Sequence, residues 1–462
     1  MKKFYVTAAI PYVNAAPHIG HALEFVQVDV IARYHRLLGE KVIALTGSDE
    51  NALKNVQAAK KANIPTQQFV DQNAQKFYKL LKKLNTQFDV FQKSTNPAHF
   101  KSSQDLWLRC QKDIYKKNYQ GLYCVGCEAF YSEDELINGE CAEHPGKKLD
   151  LVNEENYFFR LSKYQNQLIN IISNDKVKIY PDFRKNEVLA FLKKPLQDIS
   201  ISRSNQRAQN WGIPVPNDPS QRIYVWFDAL NVYRSGVSDD IWPADLHVIG
   251  KGIIRFHAVY WLAFLLSANL PLPKAILVHG YFTVNGQKMS KTIGNIIDPI
   301  EVIEKYGAEA LRYYLLKEIS PFADGDFSFS RLNQVYQSDL ANELGNLVSR
   351  LTNLAEKNNI SIDDQEKYQF NQEIAQLFEN FQFNLALEVL WGKIKTLNRE
   401  IDEFAPWKKS PEENHEFLID SIKTLRKIAW QLQPFLPETA QKINQLTVGK
   451  IKKSPILFPK IK

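Results

Sequence analysis

Two pairs of side chains suited to phosphate chemistry stand far apart in this chain. The first is His18 and His21 in AAPHIGHALE, which flank Gly20 just after Pro17 and just before an amphipathic run. A helix start carries unsatisfied N–H groups and the positive end of the helix dipole, so it favours an anion. Two imidazoles one turn apart add donors, and a glycine between them lets a flat base approach the backbone. Alone, the stretch reads equally well as a surface helix end. The second pair is Lys288 and Lys291 in GQKMSKTIGN, two ammonium groups in a Gly-flanked polar loop that can close on a developing pyrophosphate. The chain has only two methionines, Met1 and Met289, and one of this rare type falls between Lys288 and Ser290. A lysine-rich loop by itself is usually only solvated; the two stretches together, in this order, are far more specific than either. No G-x-x-x-x-G-K-[ST] occurs, and GKGIIR (250–255) lacks the third glycine of a dinucleotide fingerprint.

A third constellation suits a metal. Cys124-x2-Cys127 is followed, after 13 intervening residues, by Cys141-x2-His144. Two such pairs with a loop between them match a tetrahedral zinc knuckle, and four protein ligands make the site structural rather than catalytic. The plainer alternative is a set of buried thiols with His144 exposed. Cys110 stands apart and reads as a core residue.

The elements that position these groups follow from patterning. FYVTAAI (4–10) reads as a buried strand. Leu23, Val26, Val30, Tyr34 and Leu37 then recur at helical spacing until Gly39. KVIALTGSDE (41–50) is a second strand, and 65–84 a helix. Strand, helix, strand opens a parallel α/β sheet, whose ligands bind at the carboxyl ends of strands; Pro11–His21 and Gly47–Asn51 sit at such ends. Residues from about 116 to 223 break the rhythm and read as an inserted domain. Sheet-like runs resume in RIYVWFDAL (222–230), LHVIG (246–250) and AILVHGYFTV (275–284). From about 336 the pattern is helical to about 445, and the basic tail VGKIKKSPILFPKIK reads as an arm that packs back.

The bulk numbers agree with a multidomain globular protein. The chain has 462 residues, 44% hydrophobic and 24% charged, with net charge +7, which permits a nucleic-acid partner without demanding one. Four cysteines in this length are no disulfide framework. Lys2 and Lys3 mimic a signal peptide, but Thr7, Pro11 and Asn14 interrupt the apolar stretch. No run is long enough for a membrane span, so the expectation is a cytoplasmic protein with reduced thiols.

The pair His18-Ile19-Gly20-His21 and Lys288-Met289-Ser290-Lys291-Thr292 resembles the two signatures of class I aminoacyl-tRNA synthetases. The stretches AAIPYVNAAPHIGH, TGSDE, YCVGCEAFY, NYFFRLSKY, NWGIPVP, YVWFDAL, HGYFTVNGQKMSK, EALRYYLL, DGDFS and APW are similar to the methionyl family among them, over nearly the whole chain. The resemblance implies a Rossmann-like α/β catalytic domain with an inserted zinc-knuckle domain, followed by an all-α helical-bundle anticodon domain. The expected boundaries are 1–115 and 224–267 for the catalytic halves, 116–223 for the insertion, 268–335 for a stem-contact segment with the lysine loop, and 336–462 for the helical domain and arm. It implies activation of L-methionine by ATP with Mg2+, then transfer to the terminal adenosine of tRNA(Met), initiator and elongator. His18, His21, Lys288 and Lys291 would carry the phosphate chemistry, with Gly20, Glu24 and Ser290 also at the nucleotide. Ile10, Tyr12, Asp49, Trp226, Ala229, Leu230, Tyr233, Ile253 and His257 would form the methionine pocket, Asp49 taking the ammonium and Tyr12 and His257 offering donors near the sulfur. Asn342, Asn346 and Arg350, at i, i+4 and i+8 on one helix face, would read the anticodon with Pro406 and Trp407. A structural Zn2+ would sit on Cys124, Cys127, Cys141 and His144. A further dimerising module found in some relatives is missing, so a monomer is expected.

Four residues, at three places in the chain, depart from that family's pattern. Asn51-Ala52 stands where His-Gly is usual, Gly252 where an aspartate is frequent, and Leu230 where a proline is frequent. None removes a catalytic group. Rival readings are another class I synthetase, for leucine, isoleucine, valine or cysteine, and a tRNA-binding paralogue that has lost catalysis. The insertion is short for a hydrolytic editing domain, and the intact histidines and lysines weigh against lost catalysis.

Overall fold

The computed structural model describes residues 2–131, 133–141, 146, 148–289, 294–363 and 367–460. The chain divides into two compact units. The first comprises Met1–Pro17, Gly39–Leu81 and Gln87–His279; the second comprises His18–Leu38, Lys82–Thr86 and Gly280–Lys462.

The first unit is built on six strands: β1 (Lys3–Ala8), β2 (Lys41–Ser48), β3 (Val90–Lys93), β4 (Lys178–Tyr180), β5 (Leu246–Gly250) and β6 (Ala275–His279). Their order is β3-β2-β1-β5-β6-β4, and each neighbouring pair is parallel. An all-parallel sheet is covered on both faces, so its strands are near-continuous apolar runs. Tyr5 and Val6 of β1, Val248 and Ile249 of β5, and Ile276 to Val278 of β6 are accordingly inaccessible to solvent. From β1 the chain moves to β2 on one side and later to β5 on the other. That reversal opens a crevice at the carboxyl ends of β1 and β5, where such sheets bind ligands. An isolated parallel bridge, Tyr12 to Asp49, continues the β1–β2 pairing into it.

Three details differ from the sequence expectation. The run 222–230 is not one strand: the strand Asp218–Ile223 ends, and Val225–Leu230 is a helix with all six residues buried. A short, wholly buried apolar run has no period by which to tell helix from strand. The run 275–284 is split. β6 stops at His279, and Phe282–Val284 joins a three-stranded sheet of the second unit with Gln287–Lys288 and Gly325–Phe327. Gly280 is required at the break, because a Cβ there would stand 2.2 Å from the Ala323 carbonyl oxygen. Finally, β4 lies inside the stretch read as an insertion yet forms an edge of the central sheet; three residues are too few for a readable pattern. The rest of that stretch carries an antiparallel four-stranded sheet, with Ile114–Cys124 and Asp150–Phe159 at its centre.

The second unit joins helix Ile19–Leu37 to the helices Ala308–Lys317, Asn346–Lys357, Phe383–Phe404, Pro411–Leu432 and Pro437–Leu446. A fully buried ion pair fastens them. Arg312 meets Asp29 at 2.7 Å and also donates to the carbonyls of Phe435 (2.8 Å) and Pro434 (2.9 Å). A buried guanidinium needs such saturation, since removing one partner strands the other charge. The basic tail packs back as expected: Ile451 N–H donates to Ile360 O, and Phe458 is buried. No helix among the described residues is long and apolar enough to cross a membrane.

Candidate active site

Within the second unit, His18 and His21 cap helix Ile19–Leu37 reciprocally. The Nδ1 of His18 accepts from Gly20 N–H at 3.1 Å, and the Nδ1 of His21 accepts from His18 N–H at 3.1 Å. Burial and the neighbouring His18 hold the His21 ring well below the usual imidazole range, so it is neutral. Because Nδ1 accepts, each neutral ring carries its proton on Nε2, where it is a donor. The two ring centroids lie 4.0 Å apart, with the planes tilted by 37°. Gly20 keeps the helix mouth open: an added Cβ would lie 3.0 Å from His18 Cε1 and 3.7 Å from the Met289 terminal methyl. Met289 of the lysine loop thus lies beside the histidine pair. Ile19 N–H also donates to Ile297 O at 3.1 Å, tying the helix start to the chain just beyond that loop. Lys288 ends a short strand paired with Phe282–Val284; Ser290, Lys291 and Thr292 lie outside the described residues. Glu24 follows Gly20 by one helical turn and is partly exposed.

Within the first unit, the predicted pocket residues gather at the ends of β1, β2 and β5. Asp49 is fixed by its backbone, whose N–H donates to Pro11 O at 2.9 Å and whose carbonyl accepts from Asn55 Nδ2 at 2.9 Å. Its Oδ1 and the Tyr12 hydroxyl are buried with no hydrogen-bond partner among the described residues. Burial, then Asp228 and Glu128, push the Asp49 carboxyl well above the usual carboxylate range, partly offset by Lys54. A buried acceptor in that state is poised for a ligand cation. Tyr12 meets Trp226 edge-on at 6.3 Å, and Trp226 lies flat on Phe256 with 3.8 Å between centroids. His257 and Tyr233 join the same cluster, with Ile10 and Ile253 packed against its core and Ala229 and Leu230 buried in the Val225–Leu230 helix. His257 Nδ1 faces Ile253 O at 2.9 Å and therefore bears the proton; Nε2 then accepts from the Tyr233 hydroxyl at 2.8 Å. Burial lowers His257 to about 4, so the ring is neutral and its single N–H is already used. The His257 ring therefore has no N–H left to offer a further acceptor.

Sequence reasoning missed the support beneath this pocket. Asp228 is buried and accepts from His99 (2.5 Å), Ser103 (3.1 Å) and Asn51 Nδ2 (2.7 Å). Asn51, one of the family departures, also donates to Ser94 O at 3.0 Å. Ala52, the next departure, is buried at the start of helix Leu53–Lys61 and makes no side-chain cap. The third, Gly252, lies in the turn Lys251–Ile253. Phe256 was visible as an aromatic but not as the plate under Trp226. Residues this distant in sequence carry no shared spacing signal.

The sulfur atoms of Cys124, Cys127 and Cys141 lie within 4.8 Å of one another, with Cys127 and Cys141 3.4 Å apart. Tetrahedral thiolates on one zinc would stand about 3.8 Å apart, so the three fit a common ion. His144 lies outside the described residues. Cys110 is buried in the core, where burial pushes its thiol up to about 12. The knuckle backbone touches the pocket directly, for Trp226 Nε1 donates to Cys127 O at 3.1 Å.

Also in the second unit, Arg350 stands 4.9 Å from the centre of the Trp407 ring and donates to Asp402 at 2.5 Å. Trp407 is 53% exposed, whereas Pro406 is buried. Asn342 and Asn346 are exposed, but Tyr336–Gly345 is wound as a π-helix, so regular 3.6-residue spacing begins only at Asn346. The structure joins Arg350 and Trp407, while the π-helical winding gives Asn342 a different phase from the one expected.

Comparison with known proteins agrees with this geometry. The chain matches the family described as tRNA synthetases class I (M) over residues 4–151 and 143–352, the class that a parallel sheet with paired histidine and lysine signatures defines. It is 40% identical to the methionine–tRNA ligase of Thermotoga maritima, covering 96% of this chain and 74% of that protein. It is 42% identical to that of Rickettsia bellii, covering 96% and 93%. The solved structure of Mycobacterium tuberculosis methionyl-tRNA synthetase in complex with methionyl-adenylate superposes with a TM-score of 0.89 at 38% identity, covering 96% of this chain and 94% of that one. The chain belongs to the methionyl-tRNA synthetase family and is an aminoacyl-tRNA-forming ligase.

Proposed function

We propose that the chain joins L-methionine to ATP and then to tRNA(Met), initiator and elongator alike, with the residues assigned from sequence in the roles given there, except that Tyr12 alone donates near the sulfur while His257, its N–H held by Ile253, lines the pocket. In the first step a methionine carboxylate oxygen attacks the α-phosphorus of ATP. The bond from that phosphorus to the bridging oxygen breaks, and pyrophosphate leaves with the electron pair. In the second step a ribose hydroxyl of the terminal adenosine attacks the carbonyl carbon, its proton is lost, and AMP leaves. Such phosphoryl chemistry depends on positioning and charge neutralisation. The Nε2–H groups of His18 and His21 donate to the phosphates, and Lys288 and Lys291 follow the charge onto pyrophosphate. Gly20 and Glu24 line the nucleoside, with Ser290 on the lysine loop. Mg2+ accompanies ATP and neutralises part of its charge. Cys124, Cys127, Cys141 and His144 hold a Zn2+ that cross-links the knuckle. Asn342, Asn346, Arg350, Pro406 and Trp407 meet the anticodon, a splayed base stacking on the exposed indole. Residues 1–115 with 224–267 serve catalysis, 116–223 the knuckle, 268–335 the lysine loop and tRNA stem, and 336–462 the anticodon. The protein works in the cytoplasm, where thiols stay reduced for zinc.

The observation that carries the reading is the buried Tyr12–Asp49–Trp226 cluster, in which the Asp49 Oδ1 and the Tyr12 hydroxyl have no partner among the described residues. An ammonium and a thioether satisfy both, beside aromatic rings that suit polarizable sulfur. ATP–pyrophosphate exchange with each amino acid in turn, without tRNA, tests it. Exchange with methionine alone is the expected result. Exchange with leucine or isoleucine instead would move the chain to a sister activity, and exchange with none, from folded zinc-loaded protein, would remove the enzymatic reading.

A further inference from the structure

One charged side chain in the first unit is not used by any step above. Lys54 sits in the first turn of helix Leu53–Lys61. A cation there opposes the helix dipole, so helix stability does not explain it. Its ammonium stands 3.2 Å from the centre of the Tyr12 ring. It also donates to Gly126 O at 3.0 Å, in the loop between Cys124 and Cys127. The Lys54 backbone N–H donates to Glu128 Oε1 at 3.3 Å, and the other oxygen of Glu128 accepts from Tyr123 at 3.1 Å. Glu128 is buried and holds φ at 55°, a left-handed conformation uncommon for glutamate, so this contact is kept against local backbone preference. The ammonium therefore bridges the face of Tyr12 and the knuckle loop, with Asp49 among the groups that feel its charge.

We infer that Lys54 is a positioning residue for substrate specificity: its ammonium clamps the Tyr12 ring so that the hydroxyl aims at the thioether sulfur, and it thereby sets preference for methionine over norleucine, the isostere with a methylene in place of sulfur. The inference rests on the methionine pocket proposed above. The chemistry is direct. A cation over a ring face resists tilting of that ring. The Tyr12 hydroxyl has no partner among the described residues to hold its direction, and a sulfur is a weak acceptor that rewards alignment, whereas a methylene accepts nothing.

The test is the ratio of kcat/KM for methionine to kcat/KM for norleucine in ATP–pyrophosphate exchange, using the zinc-loaded full chain. Lys54→Met keeps the length of the side chain and removes the charge. It is expected to lower the ratio about 3–10-fold, the span of one modest hydrogen bond. Tyr12→Phe should lower it as far, and the double variant should lower it no further than either alone, because both changes remove one contact. A Lys54→Met protein in which both substrates weaken equally, with the ratio intact, would overturn the inference and leave Lys54 a merely structural tie. Zinc content and melting temperature separate that outcome from damage to the knuckle. If Lys54→Met does not fold, Lys54→Gln and Tyr12→Phe still decide: an unchanged ratio in Tyr12→Phe contradicts the clamp. Failure of the pocket reading itself looks different, since the unaltered protein would then show no methionine-dependent exchange.

Discussion

The helix start at His18 and the pocket at Asp49 handle polar groups in opposite ways. At His18 the backbone supplies the control. Main-chain N–H groups of His18 and Gly20 occupy the Nδ1 atoms, fix the tautomers and leave neutral Nε2–H donors. At Asp49 the backbone only holds the residue still, while burial and nearby carboxylates make its charge unfavourable until a cation arrives. The first arrangement is suited to charge that moves during reaction. The second is suited to recognising a ground-state ammonium. A preorganised donor acts on kcat, whereas a partner waiting for substrate acts on KM.

The largest effect that sharpens this contrast is expected from the lysine loop. Lys291→Ala should lower the exchange kcat by about 10²–10³, as loss of a preorganised transition-state donor does, with the methionine KM nearly unchanged in steady-state assays. Asp49→Asn should do the reverse. It keeps the shape and removes the charge, so the methionine KM should rise about 10–100-fold, as for a lost charge-assisted hydrogen bond. A large fall in kcat at saturating methionine would break the contrast.

The same pocket predicts a pH dependence. Asp49 has a raised pKa in the free protein and must be ionised to hold an ammonium. Methionine affinity should therefore fall as pH drops through that raised value, starting well above the usual aspartate range of about 4. Calorimetric titration against pH reads this directly. His257 titrates only near 4, so it remains neutral over the range in which Asp49 gains its proton. An affinity flat down to pH 4 would show that Asp49 is not the ammonium partner.

A smaller effect is expected from the knuckle. Chelating the metal should lower the melting temperature and weaken methionine binding by a few-fold, because the Cys127 carbonyl that receives the Trp226 indole N–H would shift. Melting and binding that ignore chelation would mean that the three thiols hold no ion.

These two regions also differ in how far the sequence disclosed them. His18, Gly20 and His21 fall within four consecutive residues, so local spacing alone singled out the stretch, and the structure places Met289 of the lysine loop near Gly20. The pocket draws on the ends of β1, β2 and β5 and on a helix that patterning took for a strand. Its aromatic members were recognisable by motif. Their roles were not: His257 spends its proton on Ile253, and Asp228 anchors Asn51 and His99 from far along the chain. Side-chain direction and tautomer depend on contacts between distant segments, which periodicity does not encode. The parallel sheet, the helical region after 336 and the thiol cluster were readable because each leaves a repeated local pattern. The three-residue edge strand β4 left none.

The most direct test of the contrast is equilibrium methionine binding, measured by calorimetry without ATP or tRNA, on the unaltered protein, Asp49→Asn and Lys291→Ala. The account predicts that Asp49→Asn loses affinity about 10–100-fold, while Lys291→Ala binds as the unaltered protein does. Equal weakening in both, or intact binding in Asp49→Asn, would contradict it.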